Sequence, residues 1–283
     1  MIDSLDIAFL LADKSTTNLF PSVVTHLISS IISPLIENDY DIRLALNTYK
    51  STENSSIAIT HPFTKSIHLF KDYLSMDKIN ARQENIQLKK MSICKTLMFF
   101  RMKILSINIL GDILRSAFRF EWRPTSSDCF HENVVFLITD DVPCREFLNP
   151  SKAHDPDAPC ACDQLEKISN DFLDGNFTLI VIGVGELVSI CDSLYADTAR
   201  NTGGEYIPLT NAARVLHTVV ESVISQGYTV SQSLRHIKEE EYEKNSSFCC
   251  SRLSKRNQCE MKHCQVMAHK GVWLLNRCRQ PSY

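Results

Sequence analysis

Asp13, Ser15 and Thr17 stand at alternate positions directly after the apolar run Ile7-Ala8-Phe9-Leu10-Leu11. A carboxylate and two hydroxyls at the end of a buried strand are hard oxygen donors. They suit Mg²⁺, which takes few protein carboxylates and keeps several waters. The same residue types favour the turn that caps a following helix, so the triplet alone leaves both readings open. A second acidic strand end adds to the metal reading. Val134-Val135-Phe136-Leu137-Ile138-Thr139 is another apolar run and it ends on Asp140 and Asp141. Ligands of open parallel sheets bind outside the carboxyl ends of the strands, where two such ends can share one ion.

The elements that must position these residues alternate. Leu19, Val23, Val24, Leu27, Ile28, Ile31, Ile32 and Leu35 recur at helical spacing, so the loop carrying Ser15 and Thr17 leads into a helix. Such a helix start offers unpaired amides and a partial positive charge to an acidic ligand group. Strands are expected over 41–49 and 57–61, and helices over 66–74, 112–120 and 162–173. The continuous apolar run Phe177 to Gly183 suits a parallel strand covered on both faces. A helix over 194–202, the turn Gly203-Gly204, a short strand over 205–209 and a helix over 212–225 follow. This order predicts an α/β fold: a Rossmann-like, doubly wound, mostly parallel sheet with helices on both faces and one early hairpin.

Composition sets limits on function. A chain of 283 residues with 44% hydrophobic content can bury one main core plus an appendage. A net charge of −3 argues against a nucleic-acid surface. The first strand begins too early for a secretory signal, and Lys95, Arg101 and Lys103 interrupt the apolar stretch 92–110. A cytoplasmic protein without a membrane span is therefore expected. Eleven dispersed cysteines do not form a compact disulfide framework, so reduced thiols are the expectation.

The strand Ile7 to Leu11 with Asp13, Ser15 and Thr17, the strand end Leu137-Ile138-Thr139-Asp140, and Thr202-Gly203-Gly204-Glu205-Tyr206-Ile207-Pro208-Leu209 together resemble a von Willebrand factor A domain. The resemblance covers residues 3–226. Phe120-Glu121-Trp122-Arg123-Pro124 and the segment 199–211 look most like the intracellular type associated with alpha-type protein kinases. It implies the A-domain fold and a metal-ion-dependent adhesion site whose residues here are Asp13, Ser15, Thr17 and Asp140. The implied ion is Mg²⁺, with Mn²⁺ or Ca²⁺ able to stand in. Lys14 departs from the pattern. So does the middle loop, where the ligand position falls on Ala81, leaving Glu84 or Asn80 as possible substitutes. Residues 88–110 exceed what the resemblance predicts and read as an insertion, while 227–283 form a charged, Cys-rich tail, expected to be flexible.

Other candidate sites are weaker. Cys144, His154, Cys160 and Cys162 surround a proline-broken loop, and Cys160-x-Cys162 is too tight for a usual zinc pair. Cys249, Cys250, Cys259, His263, Cys264, His269 and Cys278 match no standard finger, so zinc is not expected in the tail. Residues 237–244, with three consecutive glutamates, read as a solvated helix. Catalysis is the rival class. Asp13 after a first parallel strand could be a phosphatase nucleophile with Mg²⁺ nearby, but Ser15 stands where a second Asp would be needed. Gly183-x-Gly185 lacks the third glycine of a dinucleotide site, and nothing follows a kinase catalytic pattern. The expectation is a non-enzymatic interaction module whose metal is completed by an acidic side chain of a partner protein. The alternatives are a metal-free scaffold of the same fold, favoured by Ala81, and the Mg²⁺-dependent phosphatase.

Overall fold

The computed structural model describes residues 4–13, 20–51, 56–74, 110–124, 131–142, 161–185, 188 and 191–238. In chain order the elements are β1 (Ser4–Asp13), α1 (Phe20–Glu37), β2 (Asp41–Ser51), β3 (Ser56–Thr64), α2 (67–74), α3 (110–116), β4 (His131–Thr139), α4 (Ala161–Asp174), β5 (Phe177–Gly183), α5 (Asp192–Arg200), β6 (Tyr206–Pro208), α6 (Leu209–Gln226) and α7 (230–238). A 3₁₀ turn, Ala117–Arg119, extends α3. The six strands form one sheet in the order β3-β2-β1-β4-β5-β6. Only the β2–β3 hairpin is antiparallel. The expected α/β architecture is thus observed.

Helices cover both faces. Ala8, Leu10 and Ala12 of β1 join Val135, Leu137, Leu179 and Val181 in a core with Leu110, Ile113, Leu114, Leu165, Ile168 and Tyr195 from α3, α4 and α5. The alternate residues Leu5, Ile7, Phe9 and Leu11 are buried on the opposite face, where Phe9 stacks on Phe136 at 5.2 Å and meets Phe70 of α2 at 5.7 Å. Burial of both parities explains why the central strands read as continuous apolar runs. Leu110, placed by the sequence in an insertion, is 1% exposed and opens α3. Residues 88–109 of that segment lie outside the described residues. No helix among the described residues is long and apolar enough to cross a membrane.

The amino ends of the central strands close on one carboxylate. Asp6 has no solvent exposure. Arg43 of β2 binds it in bidentate fashion, Nε donating to Oδ1 at 2.9 Å and Nη2 to Oδ2. The Arg123 amide donates to Oδ2 at 3.0 Å, and His131 Nε2 lies 3.6 Å away. Arg123 also reaches the Asp41 carbonyl and carboxylate, each at 3.0 Å. The segment Phe120-Glu121-Trp122-Arg123 is the other half of this closure. Trp122 Nε1 donates to the Ala117 carbonyl at 2.7 Å, its ring packs on Phe63 and Phe177 at 4.9 Å each, and the Arg43 guanidinium lies over Phe63.

A second buried acid ties down the far end of the described chain. Glu132, beside this cluster on β4, accepts the Val230 amide at 2.7 Å, the Ser231 amide at 3.2 Å and the Thr178 hydroxyl at 3.3 Å. It therefore caps the amino terminus of α7 from a distant strand, favourably for the helix dipole. Ser231 Oγ donates to the Gly203 carbonyl at 2.9 Å. At that turn Gly203 has φ +78°, and a side chain on Gly204 would collide with the Leu179 backbone. Thr202 completes the turn by accepting the Leu179 amide at 2.9 Å and donating to Ala199 at 2.7 Å. The chain divides into units 1–235 and 236–283, so the cap on Glu132 lies within the first. The segment 227–235, read from sequence as the start of the tail, contains the start of α7; the zinc candidates beyond 248 and residues 239–244 lie outside the described residues.

Asp6→Asn leaves two guanidinium groups without their buried counter-charge and is expected to lower stability by about 3 kcal/mol in urea unfolding. Glu132→Ala takes the acceptor from one buried and one half-buried amide and is expected to cost about 2 kcal/mol by the same measurement. Burial raises the Glu132 carboxyl above its usual range, against the lowering by its hydrogen bonds. The folded state therefore holds that proton more tightly than the unfolded state. Its contribution is complete below the unfolded carboxyl range and is lost as pH rises through the folded value. Glu132→Gln should flatten that part of the stability profile.

Candidate functional site

The parallel register sets which strand ends are neighbours. Ala12 of β1 pairs with Thr139 of β4. Asp13, the last residue of β1, and Asp140, the first after β4, thus follow paired positions on adjacent central strands, about 5 Å apart in the sheet. On its other side Asp13 is in register with Lys50 of β2. Of the sequence-predicted donors, Ser15, Thr17, Asn80 and Glu84, like Ala81, lie outside the described residues. Asp13 is described as backbone. Among the described residues, no three His, Cys, Asp or Glu residues form a group able to hold a metal ion.

The two acids after β4 are sorted by their environments. Asp141 is buried and engaged in shaping its own loop. Its amide donates to Thr139 Oγ1 at 3.0 Å, its Oδ1 accepts the Val142 amide at 2.8 Å, and its carbonyl accepts the Tyr195 hydroxyl at 2.8 Å. Asp140 is half-buried at the mouth of the sheet. The Val184 amide donates to the Thr139 carbonyl at 2.8 Å, extending the β4–β5 pairing past the end of the strands. The donor set at Asp13 and Asp140, two carboxylates on adjacent strand ends, has the chemistry a hard divalent cation takes.

Beneath this edge lies a platform that sequence reasoning missed. Tyr195 of α5 is fully buried and stacks on Tyr206 of β6, ring centres 5.9 Å apart at 13°. Burial, reinforced by the charge of Asp141, pushes the Tyr195 hydroxyl well above its usual pKa. Burial and a hydrogen bond to Asp192 push Tyr206 up likewise. Both phenols therefore stay protonated donors across the physiological range. Asp192, in the first turn of α5, has its Oδ1 buried without a hydrogen-bond partner among the described residues. The signal in sequence was Gly183: a Cβ there would run into the Tyr206 hydroxyl and ring, so the last residue of β5 must be glycine for the platform to close. The pattern Gly183-x-Gly185 serves packing in this way.

No protein-family model and no curated protein matches the chain. Solved structures do share features of its fold. The likeness is to von Willebrand A-type domains. The SpRpn10 VWA domain is 10% identical, with a TM-score of 0.41, over 75% of this chain and 94% of that one. The vWF domain of Mfa5, the type V pili tip protein of Porphyromonas gingivalis, is 9% identical, with a TM-score of 0.44, over 79% and 96%. The pilus adhesin SpaC of Lactobacillus rhamnosus GG is 10% identical, with a TM-score of 0.40, over 80% of this chain and 30% of the adhesin. At these distances none of the three bears on activity, partner or metal.

Gly183→Ala should cost about 2 kcal/mol in thermal or urea unfolding, the range seen for overpacking a filled core. Combining it with Tyr206→Ala should cost less than the sum of the two single changes, because both act on one contact.

Proposed function

We propose that the chain is a non-enzymatic interaction module that binds an acidic group of a partner protein through a Mg²⁺-type site built from Asp13, Ser15, Thr17 and Asp140. The observation that carries this reading is the β1–β4 register, which brings Asp13 and Asp140 to adjacent ends of the two central strands. An ion bound there would supply an open coordination position to an incoming carboxylate. The chain's own part is to hold two carboxylates and two hydroxyls at the strand mouth. Asp141, Tyr195 and the Val184 amide fix the loop that presents Asp140. Buried tyrosines that remain neutral donors add no charge to compete with the ion.

A metal-free scaffold of the same fold is the second reading. It is favoured by Ala81 at the middle-loop ligand position. That scaffold would meet its partners through the same loops without an ion.

Electron paramagnetic resonance of Mn²⁺ titrated into the full chain separates the readings. Saturable one-site binding is expected, abolished by Asp13→Ala and weakened about tenfold or more by Asp140→Asn, the usual order for a lost metal-site interaction. Added acetate should displace a metal-bound water in the same titration. No binding by the wild-type chain would decide for the metal-free scaffold. Aryl phosphate turnover lost in Asp13→Asn would instead overturn the non-enzymatic reading.

A further inference from the structure

The sheet has two edges, and they are built differently. β6 is three residues long and ends on Pro208, short enough to blunt itself. β3 runs for nine residues, Ser56–Thr64, and among the described residues pairs only with β2. Edge strands of monomers are usually guarded by charge, proline or a bulge, because their outer backbone groups are a template for another strand. β3 has such a guard only at its carboxyl end. The register slips between Leu44 and Leu46, where Pro62 and Phe63 form a bulge. From Ser56 to His61 the pairing with β2 is regular. No Asp, Glu, Lys or Arg occurs between Glu53 and Lys65. Ile57, Ile59 and Thr60 are strong strand formers, Ala58 and Thr60 are exposed, and Ile59 is half-buried.

We propose that this edge is a self-association site, at which a second copy of the chain adds its own β3 antiparallel to the first about a two-fold axis at Ile59. A two-fold strand pair sets one sequence against its own reverse, so it favours a strand free of charge. With the axis at Ile59, Ala58 faces Thr60 and Ile57 faces His61. The first charges beyond the strand are Glu53 on one side and Lys65 on the other, equally distant in sequence from Ile59 and opposite in sign. Antiparallel pairing sets the C-terminal flank of each strand toward the N-terminal flank of the other, and in sequence those flanks begin with opposite charges. Lys65 also bridges Asp41 at 2.7 Å within its own chain, yet its side chain stays 66% exposed. The bulge at Pro62 ends the regular stretch at the same point in both copies. Pairing is thus confined to 57–61 and closes as a dimer; an open array would need a second long edge, and β6 is three residues long.

Sedimentation velocity of the full chain over a concentration series tests this. A reversible dimer is expected. Ala58→Lys combined with Thr60→Lys, both at exposed positions, sets lysine against lysine across the axis and should raise the dimer dissociation constant at least about tenfold. The Ala58→Glu, Thr60→Glu protein should be equally weakened alone. An equimolar mixture of the two should recover the dimer, which misfolded variants could not do. A wild-type chain that stays monomeric, a dimer indifferent to the lysines, or a mixture that fails to associate overturns the proposal.

Discussion

A carboxylate with no access to water at the amino end of the central strand is the constraint around which the fold is arranged. Burying an unpaired charge is prohibitive, so Asp6 requires its cations to arrive with it. Arg43 comes from the neighbouring strand, and Arg123 brings both an amide and a guanidinium from the segment before β4. Satisfying one acid therefore fixes how β2 aligns on β1 and where the chain must pass before β4 begins. The aromatic rings of Phe63, Phe120, Trp122 and Phe177 pack on one another beside this cluster.

The two ends of the sheet are thus given opposite treatment. At the amino end, buried acids are paired or capped: Asp6 by arginines, Glu132 by the start of α7. At the carboxyl end, Asp141 is bound to backbone and hydroxyl groups of its own loop, while the backbone places Asp13 and Asp140 at adjacent strand ends. Closing one end rigidly lets the register transmit to the other. Because β1 is in register with both β2 and β4 along its length, an alignment fixed at Asp6 also fixes which residues meet at Asp13.

The alternation of strands and helices and the mostly parallel sheet were legible because the central strands are buried on both faces and flanked by helices of clear period. Phe20–Glu37 and Phe177–Gly183 agree with the expected bounds within a residue or so. The acidic strand ends were legible for the same reason: a charge that ends an apolar run stands out. Residue types alone did not separate Asp140 from Asp141, which only the resemblance distinguished; what the sequence did not show is that Thr139 and Tyr195 hold the Asp141 backbone. Nor could spacing reveal that Arg123 and Arg43 meet at Asp6, or that Glu132 caps a helix; these are long-range pairings between residues individually unremarkable in type. The motif Phe120-Glu121-Trp122-Arg123 was recognisable as a resemblance, but its chemistry, a tryptophan anchor delivering an amide to a buried acid, needed three dimensions.

The cap that Glu132 provides joins residues 98 positions apart. A helix capped by its own preceding residue can begin forming as soon as its segment is made. α7 has such a local cap, Thr229 Oγ1 accepting the Gln232 amide and Gln232 Oε1 accepting the Thr229 amide, each at 2.9 Å, but its Val230 and Ser231 amides find their acceptor only when β4 is in the sheet. The loop-closure entropy of that contact is met only after the central sheet has condensed. Loss of the Glu132 contact would therefore leave α7 its local cap while releasing its hold on β4, and through Ser231 the helix also holds the Gly203 turn.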